Sequence, residues 1–173
     1  MFLHTQFKHL RRALLIGVSS AALASALPAV ASDTTGPDAL WASTLPDANG
    51  HRMNLAGLKG QTLVVNFWAS WCGPCVEEMP ALSALQAQYA SKGIKFVGIG
   101  VDSAANINGF LKKVAVSYPI YVAGFGGADL ARAFGNTAGG LPFTVVIDRN
   151  GRVRYSKLGR VDIAELKQAL TTP

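Results

Sequence analysis

Two cysteines separated by two residues are the most reactive pair in this sequence. Cys72 and Cys75 are the only cysteines among the 173 residues, and they lie in the segment FWASWCGPC of residues 67–75. A disulfide between them closes a very short loop and stabilises the fold little, because disulfide stabilisation grows with loop length. The pair is therefore better suited to reversible thiol–disulfide exchange than to a structural role.

The position of Cys72 favours it as the attacking nucleophile. A buried strand is predicted to end just before it and a helix to begin just after it, where free backbone N–H groups and the helix dipole stabilise a thiolate. Such surroundings lower the pKa of a cysteine from about 8.5 to roughly 3.5–7.5. Cys72 then attacks a substrate disulfide, and Cys75, one helical turn further on and more buried, resolves the mixed disulfide.

Three neighbours of the cysteines are candidate contacts for a substrate. Gly73 lets a substrate chain approach closely, and Pro74 is compatible with the first helical turn, where no backbone donor is needed. Trp71 is a candidate for an apolar docking surface. Packing in the core or at the domain edge would explain a tryptophan at this position nearly as well.

Glu78 is the candidate acid/base group of the exchange reaction. It lies three residues beyond Cys75 and therefore on the same helical face. If it is buried, its pKa is raised and suits proton transfer to and from the resolving thiol. An ordinary surface glutamate is the alternative. Glu77 points about 100° away around the helix and is expected to be solvated.

Other uses of a CxxC pair agree less well with the rest of the sequence. A structural zinc ion takes four protein ligands, and His51 is the only histidine beyond the N-terminal segment. We therefore expect no bound metal, and no cofactor motif is present. A non-catalytic copper-binding module remains an alternative of a different class, which a copper-binding assay would test. A peroxidase is disfavoured because Cys72 has a vicinal partner.

The first 31 residues have the pattern of an export signal. Lys8, Arg11 and Arg12 precede an apolar run over residues 13–27, and the segment ends in the small-x-small pattern Ala-Val-Ala of residues 29–31. This pattern predicts a signal peptide cleaved after Ala31 and delivery to the periplasm. An uncleaved membrane anchor and a buried apolar helix are the alternatives.

The net charge of +6 does not indicate a nucleic-acid partner. Three of the 16 basic residues belong to the predicted export segment, ahead of its apolar run. The remaining chain is only weakly basic and has no basic cluster of the kind that follows a phosphate backbone. We therefore expect no nucleic-acid binding.

The elements that must position the cysteines are predicted to alternate between strands and helices. A lead-in over residues 32–60, with turns at 35–38 and 47–50 and with Trp41 packed on the domain edge, precedes an α/β domain over residues 61–173. Predicted strands cover residues 62–68, 95–101, 119–122, 143–147 and 152–157, with a hairpin turn at 148–151. Predicted helices cover residues 74–89 with a kink at Pro80, 104–116, 129–134, and a last helix from its Asp162 cap to Leu170. This alternation indicates a three-layer α/β domain.

Three segments carry a family resemblance: FWASWCGPC, CVEEMP at residues 75–80 and GLPFTVVIDRNG at residues 140–151. On these segments the sequence from about residue 54 onward resembles the TlpA-like branch of the thioredoxin superfamily, which comprises exported reductants and includes the cytochrome c maturation type. This resemblance implies a thioredoxin-like fold with a central mixed β-sheet flanked by helices.

The resemblance also implies roles for single residues. Pro142 corresponds to the family's cis-proline, which lies against the CxxC pair, and Leu141 is the residue whose backbone pairs with a substrate strand. Other thioredoxins hold a buried aspartate in the strand before the cysteines, where this sequence has Asn66. Because asparagine does not titrate, Glu78 is left as the candidate acid/base group.

The function implied by the resemblance is a periplasmic thiol–disulfide oxidoreductase that reduces disulfides in client proteins. Apocytochrome c, with its CxxCH haem site, is the favoured client, and a membrane electron donor is expected to re-reduce the dithiol. A disulfide oxidase or isomerase that uses the same cysteines is the alternative with the same chemistry. We expect a monomer.

Overall fold

The computed structural model describes residues 35–171. The predicted signal peptide and its cleavage site lie outside the described residues. Among residues 35–171, no helix combines the length and the apolar character needed to cross a membrane.

The lead-in contains a helix where the sequence analysis predicted only a turn. Helix α1 covers Gly36–Ala42, and the side chain of Thr35 accepts a hydrogen bond from the Asp38 backbone N–H at 3.4 Å. A threonine cap with proline in the first turn is a helix start, so the turn prediction for residues 35–38 was wrong. Trp41 belongs to this helix, and its side chain is buried in the core instead of lying on the domain edge as predicted.

A short hairpin follows α1. Strands β1 (Thr44–Pro46) and β2 (Arg52–Asn54) are antiparallel, and a 3₁₀ turn covers Leu55–Leu58. The predicted turn at residues 47–50 is confirmed, because the Gly50 N–H donates to the Asp47 carbonyl at 3.0 Å.

The central sheet is mixed and has the strand order β5-β4-β3-β6-β7. Strands β4 and β5 run parallel to β3, β6 runs antiparallel to β3, and β7 runs antiparallel to β6. One edge of the sheet therefore combines the ends of β3, β4, β5 and β7 with the start of β6, and we call it the carboxyl edge. The strands are β3 (Thr62–Trp68), β4 (Ile94–Gly100), β5 (Ile120–Val122), β6 (Phe143–Ile147) and β7 (Val153–Leu158).

Helices cover both faces of this sheet. Side chains of α2 (Gly73–Tyr89), α3 (Ala104–Leu111) and α5 (Ile163–Thr171) share one buried cluster with Val64 and Trp68 of β3. Side chains of α1 and α4 (Gly126–Ala133) share the other cluster with the alternate residues of β3. Successive side chains of β3 therefore enter opposite clusters, and burial on both faces explains why this strand is an almost continuous apolar run. The predicted thioredoxin-like fold with a mixed sheet flanked by helices is confirmed.

Two helix boundaries differ from the prediction by several residues. Helix α3 ends at Leu111 instead of continuing to residue 116, because the chain turns back and Ser117 bonds Ser83 of α2 through both its N–H and its hydroxyl. Helix α4 begins at Gly126, three residues earlier than predicted. The pattern missed its first turn because glycine is a poor helix former. Helix α2 continues through Pro80, and the kink there stays a prediction.

Candidate active site

Cys72 and Cys75 form a disulfide at the carboxyl edge, with their Cα atoms 5.3 Å apart. Strand β3 ends at Trp68, the loop of residues 69–71 follows, and Cys72 is the N-cap of α2. The Cys75 backbone N–H donates to Cys72 Sγ at 3.3 Å. Cys72 therefore occupies the position in which free backbone donors and the helix dipole stabilise negative charge on sulfur.

The two cysteines differ in accessibility. Cys72 is 6% exposed, whereas Cys75 is completely buried. Gly73 and Pro74 are exposed beside them, and a Cβ at Gly73 would meet no heavy atom within 4 Å. An approaching chain can therefore reach Cys72 before Cys75, and the space above Gly73 is open.

Trp71 stands out from the surface directly before Cys72. Its side chain is 69% exposed, so packing in the core does not account for it. Its apolar surface is available to a partner that approaches Cys72.

The Leu141–Pro142 peptide bond is cis. Pro142 is buried immediately before β6, whose Phe143 pairs with Phe67 of β3. Leu141 packs against the same buried cluster that contains both cysteines. Thus the two residues singled out by the family resemblance lie at the carboxyl edge, one strand away from the disulfide.

Glu78 is buried on the face of α2 that contacts β3. Its side chain is only 3% exposed, which excludes an ordinary surface glutamate. Glu78 Oε1 accepts a hydrogen bond from Asn66 Nδ2 at 2.8 Å, and Oε2 accepts one from the Val161 N–H at 2.9 Å. Asn66 Nδ2 also donates to Thr144 Oγ1 at 3.0 Å. By contrast, Glu77 is exposed and forms an ion pair with Arg160.

The surroundings of Glu78 change its protonation. Burial raises the pKa of Glu78 above its usual 4.5, and it outweighs the opposing effects of the hydrogen bonds from Val161 and Asn66 and of the charge on Arg160. A carboxyl group with a raised pKa exchanges protons closer to neutral pH than an exposed one. Glu78 and Cys75 are three residues apart in α2 and therefore share one helical face.

Asp102 is a buried carboxylate beside the cysteine loop that the sequence analysis missed. It follows β4 at the carboxyl edge, and its Oδ2 accepts hydrogen bonds from the N–H and the hydroxyl of Ser70. Its Oδ1 accepts from the Ser103 N–H and from Asn106 Nδ2 at 2.7 and 2.8 Å. The Asp102 carboxylate thus ties the loop before Cys72 to the end of the neighbouring strand.

Hydrogen bonding keeps Asp102 ionised. Burial acts to raise the pKa of Asp102, but the hydrogen bonds from Ser70, Asn106 and Ser103 outweigh burial and hold the pKa below the usual 3.8. Because the folded-state pKa is depressed, the resulting stability is present above about pH 4 and is lost as the pH falls through the folded-state pKa.

Replacing Asp102 with asparagine is expected to lower the free energy of unfolding at pH 7 by about 1–3 kcal/mol. Both carboxylate oxygens accept hydrogen bonds, and the substitution turns one of them into an amide nitrogen that cannot accept. The deficit relative to wild type should shrink as the pH falls below about 4, because Asp102 protonates first in the unfolded chain and then, at its lowered pKa, in the folded protein. Urea unfolding at pH 7 and pH 3 measures both effects. Asp129→Asn, the same change at an exposed position of α4, is the control. An equal loss in both variants would contradict the role assigned to Asp102.

Among residues 35–171, no group of three or more His, Cys, Asp or Glu side chains is arranged to hold a metal ion. The structure brings together the Cys72–Cys75 disulfide, the buried carboxyl groups of Glu78 and Asp102, and the cis peptide bond before Pro142.

A disulfide at the first turn of a helix, next to a cis-proline on a mixed sheet, defines a thiol–disulfide oxidoreductase with a thioredoxin fold. The Redoxin family model matches residues 24–170. The chain belongs to this family.

Individual relatives agree with the assignment. The chain is 31% identical over 143 residues to thiol-disulfide oxidoreductase ResA of Geobacillus thermodenitrificans, an alignment that covers 82% of this chain and 78% of the relative. Its fold matches a thiol:disulfide interchange protein from Chlorobium tepidum with a TM-score of 0.60 at 33% identity, covering 74% of this chain and 93% of that one. A thioredoxin-related protein from Neisseria meningitidis serogroup B matches with a TM-score of 0.63 at 38% identity, covering 73% and 95%.

Proposed function

We propose that this protein reduces disulfides in client proteins of the periplasm, with Cys72 as the nucleophile and Cys75 as the resolving cysteine. The observation that carries the proposal is the hydrogen bond from the Cys75 N–H to Cys72 Sγ at the start of α2. When the disulfide is open, the same donor and the helix dipole stabilise a Cys72 thiolate. Cys75, which is buried, is reserved for the second step.

The reaction consists of two exchanges. The Cys72 thiolate attacks one sulfur of the client disulfide, forms a Cys72–client disulfide and releases the other client sulfur as a thiolate. Cys75 then transfers its thiol proton to the Glu78 carboxylate and attacks Cys72 Sγ, which frees the second client thiolate. Two electrons pass from the dithiol to the client, whose two thiolates take up protons from solvent. Two electrons from a dithiol donor then reopen the Cys72–Cys75 disulfide, and Glu78 returns its proton to Cys75.

The site offers a surface on which a client chain can lie. Among the described residues, the backbone N–H and carbonyl of Leu141 make no backbone hydrogen bond, so both are available to a client strand. Trp71, Gly73 and Pro74 are exposed next to Cys72, and the cis Leu141–Pro142 bond lies at the carboxyl edge. These contacts use the main chain and apolar surface, which suits varied clients.

The proposed client protein, electron donor and cellular location are inferred from the resemblance to the TlpA-like branch. The basic and apolar pattern of residues 8–31 supports export to the periplasm. Apocytochrome c is our favoured client because its CxxCH site carries two cysteines, and a membrane electron donor would supply the reducing dithiol. A peptide that contains an oxidised CxxCH site provides a direct substrate for the test.

The first experiment is a measurement of the reduction potential of the Cys72–Cys75 couple in glutathione or dithiothreitol buffers. The CGPC sequence is that of reducing thioredoxins, so we expect a value near −270 mV. A value near −120 mV would identify a disulfide donor and reverse the direction of the reaction. Failure to form a reversible disulfide would contradict the redox function itself.

A further inference from the structure

Phe125 is 86% exposed, more than any other large apolar side chain of residues 35–171. It occupies the N-cap position of α4, where its side chain makes no capping hydrogen bond. Asn, Asp or Ser at an N-cap would stabilise the helix, whereas this phenylalanine contributes neither a cap nor core packing. The fold therefore gives no reason for a phenylalanine at this position.

Phe125 lies on the same edge of the sheet as the disulfide. The parallel strands β3, β4 and β5 end in register, because Trp68 of β3 pairs with Gly100 of β4, which in turn pairs with Val122 of β5. Trp71 follows the end of β3 by three residues, and Phe125 follows the end of β5 by three residues. Both exposed aromatic side chains thus belong to loops that leave the carboxyl edge.

Packing contacts connect these two loops. Gly127 lies so close to β4 that a Cβ there would be 2.9 Å from Val101 Cγ2. The next residue, Asp102, binds Ser70, which directly precedes Trp71. The loop that carries Phe125 is therefore positioned against the same segment that holds the loop before Cys72.

Leu158 provides exposed apolar surface at the same carboxyl edge, two strands from β3 in the direction away from β5. It ends β7 and pairs with Phe143, which pairs with Phe67 of β3. A Cβ at Gly140 would lie 3.1 Å from Leu158 Cδ1, so Leu158 covers the loop before the cis-proline. Trp71, Phe125 and Leu158 together form what we call the apolar rim.

We propose that the apolar rim binds the extended client segment next to the attacked cysteine, and that Phe125 selects segments with an apolar side chain about three residues from that cysteine. The inference rests on the proposed thiol–disulfide exchange. Two strand spacings of ~4.8 Å separate β5 from β3, and an extended chain advances ~3.3 Å per residue, so about three residues span this distance. Apolar side chains are selected because contact with Phe125 removes both surfaces from water.

The occupant is a client chain because Trp71, one member of the rim, directly precedes Cys72, and the other two members belong to the same edge of the sheet. A client whose sulfur reaches Cys72 must continue past Trp71 and across the carboxyl edge. Towards β5 the path of the client leads to Phe125, and towards β7 it leads to Leu158.

The test compares reduction of matched oxidised peptides by the full-length protein, with dithiothreitol as the electron source. Each peptide has one disulfide and carries either Phe or Gly three residues from a cysteine, on its N-terminal or C-terminal side. The wild type should reduce one of the Phe peptides with a kcat/KM about tenfold above that of its Gly counterpart, as expected for partial burial of a phenyl ring.

Variants assign this preference to Phe125. In Phe125→Ser the ratio of the two kcat/KM values should fall to about one, whereas Phe125→Leu should retain most of it. Val153→Ser is the matched control, because Val153 is 41% exposed at the opposite end of β7 and should keep the wild-type ratio. Reduction of the Gly peptide and thermal melting show that each variant is folded and redox-active.

Other outcomes would overturn the inference. A wild-type ratio near one would show that the rim does not select apolar segments. Phe125-dependent binding to phosphatidylcholine vesicles, or self-association lost in Phe125→Ser, without peptide preference would assign the rim to a bilayer or to a second copy. If the wild type reduced neither peptide, the proposed exchange function would fail instead, and the two failures are thus distinguishable.

Discussion

Replacing Cys75 with alanine is expected to leave Cys72 covalently attached to its clients. The first exchange needs only the exposed edge of Cys72, so the mixed disulfide still forms. Its release then depends on external thiols instead of a neighbouring sulfur. Because an intramolecular group acts at an effective concentration of about 10⁵ M or more, release should slow by at least about a thousandfold with millimolar thiol.

Acid-quenched extracts of cells expressing Cys75→Ala, separated on non-reducing gels, measure this trapping. Mass spectrometry of the trapped species identifies the clients, including apocytochrome c. Cys72→Ala is the control and should trap nothing, because Cys75 is completely buried. Adducts on Cys75 in that control, or no adducts on Cys72 in Cys75→Ala, would show that the nucleophile has been assigned incorrectly.

The central part of the fold was predictable because its signals are local. Strands β3 and β6 are continuous apolar runs, and their observed bounds, Thr62–Trp68 and Phe143–Ile147, are those predicted. Cys72 lies between a strand of this kind and the first residue of α2, so the location of the disulfide follows from the pattern of neighbouring residues. A boundary signal of this type needs no tertiary information.

The polar contacts around the cysteines were not predictable in the same way, because they join residues that are distant in the chain. The Val161 N–H that binds Glu78 lies 83 residues further on, and Asp102 lies 32 residues beyond Ser70. Burial of Glu78 depends on the connection between β7 and α5, which no helical pattern reveals. A weak signal for Asp102 was its position directly after a buried strand parallel to β3.

The start of helix α4 was not predicted for a different reason. Glycine and phenylalanine at residues 124–127 do not resemble a helix start, yet Gly127 fits closely against Val101, where a larger residue would clash. Tertiary packing therefore outweighs helix propensity at this position. The same region contains Phe125, whose exposure only the folded structure shows.

Glu78→Gln is expected to slow resolution of the mixed disulfide by about 10²-fold at pH 7, because the variant lacks the base that accepts the Cys75 proton. The glutamine amide is nearly the same size as the carboxyl group. Asn66 Oδ1 is buried and has no hydrogen-bond partner among the described residues, so rotation of the Asn66 amide allows it to accept from the new donor. The substitution therefore removes the titration with little change in shape.

The pH dependence distinguishes an acid/base role of Glu78 from a structural one. The wild-type resolution rate should fall as the pH drops through the raised pKa of Glu78, and the variant should lack this step.

The stability of the protein should change with pH in the opposite sense. Between about pH 4.5 and the raised pKa of Glu78, the folded wild type binds more protons than the unfolded chain. Its free energy of unfolding therefore decreases as the pH rises. Glu78→Gln should therefore melt above the oxidised wild type at pH 8, with the difference closing near pH 4. A slower rate with an unchanged pH profile would show that Glu78 only positions α2, and stopped-flow measurement of mixed-disulfide decay across this range decides between the two roles.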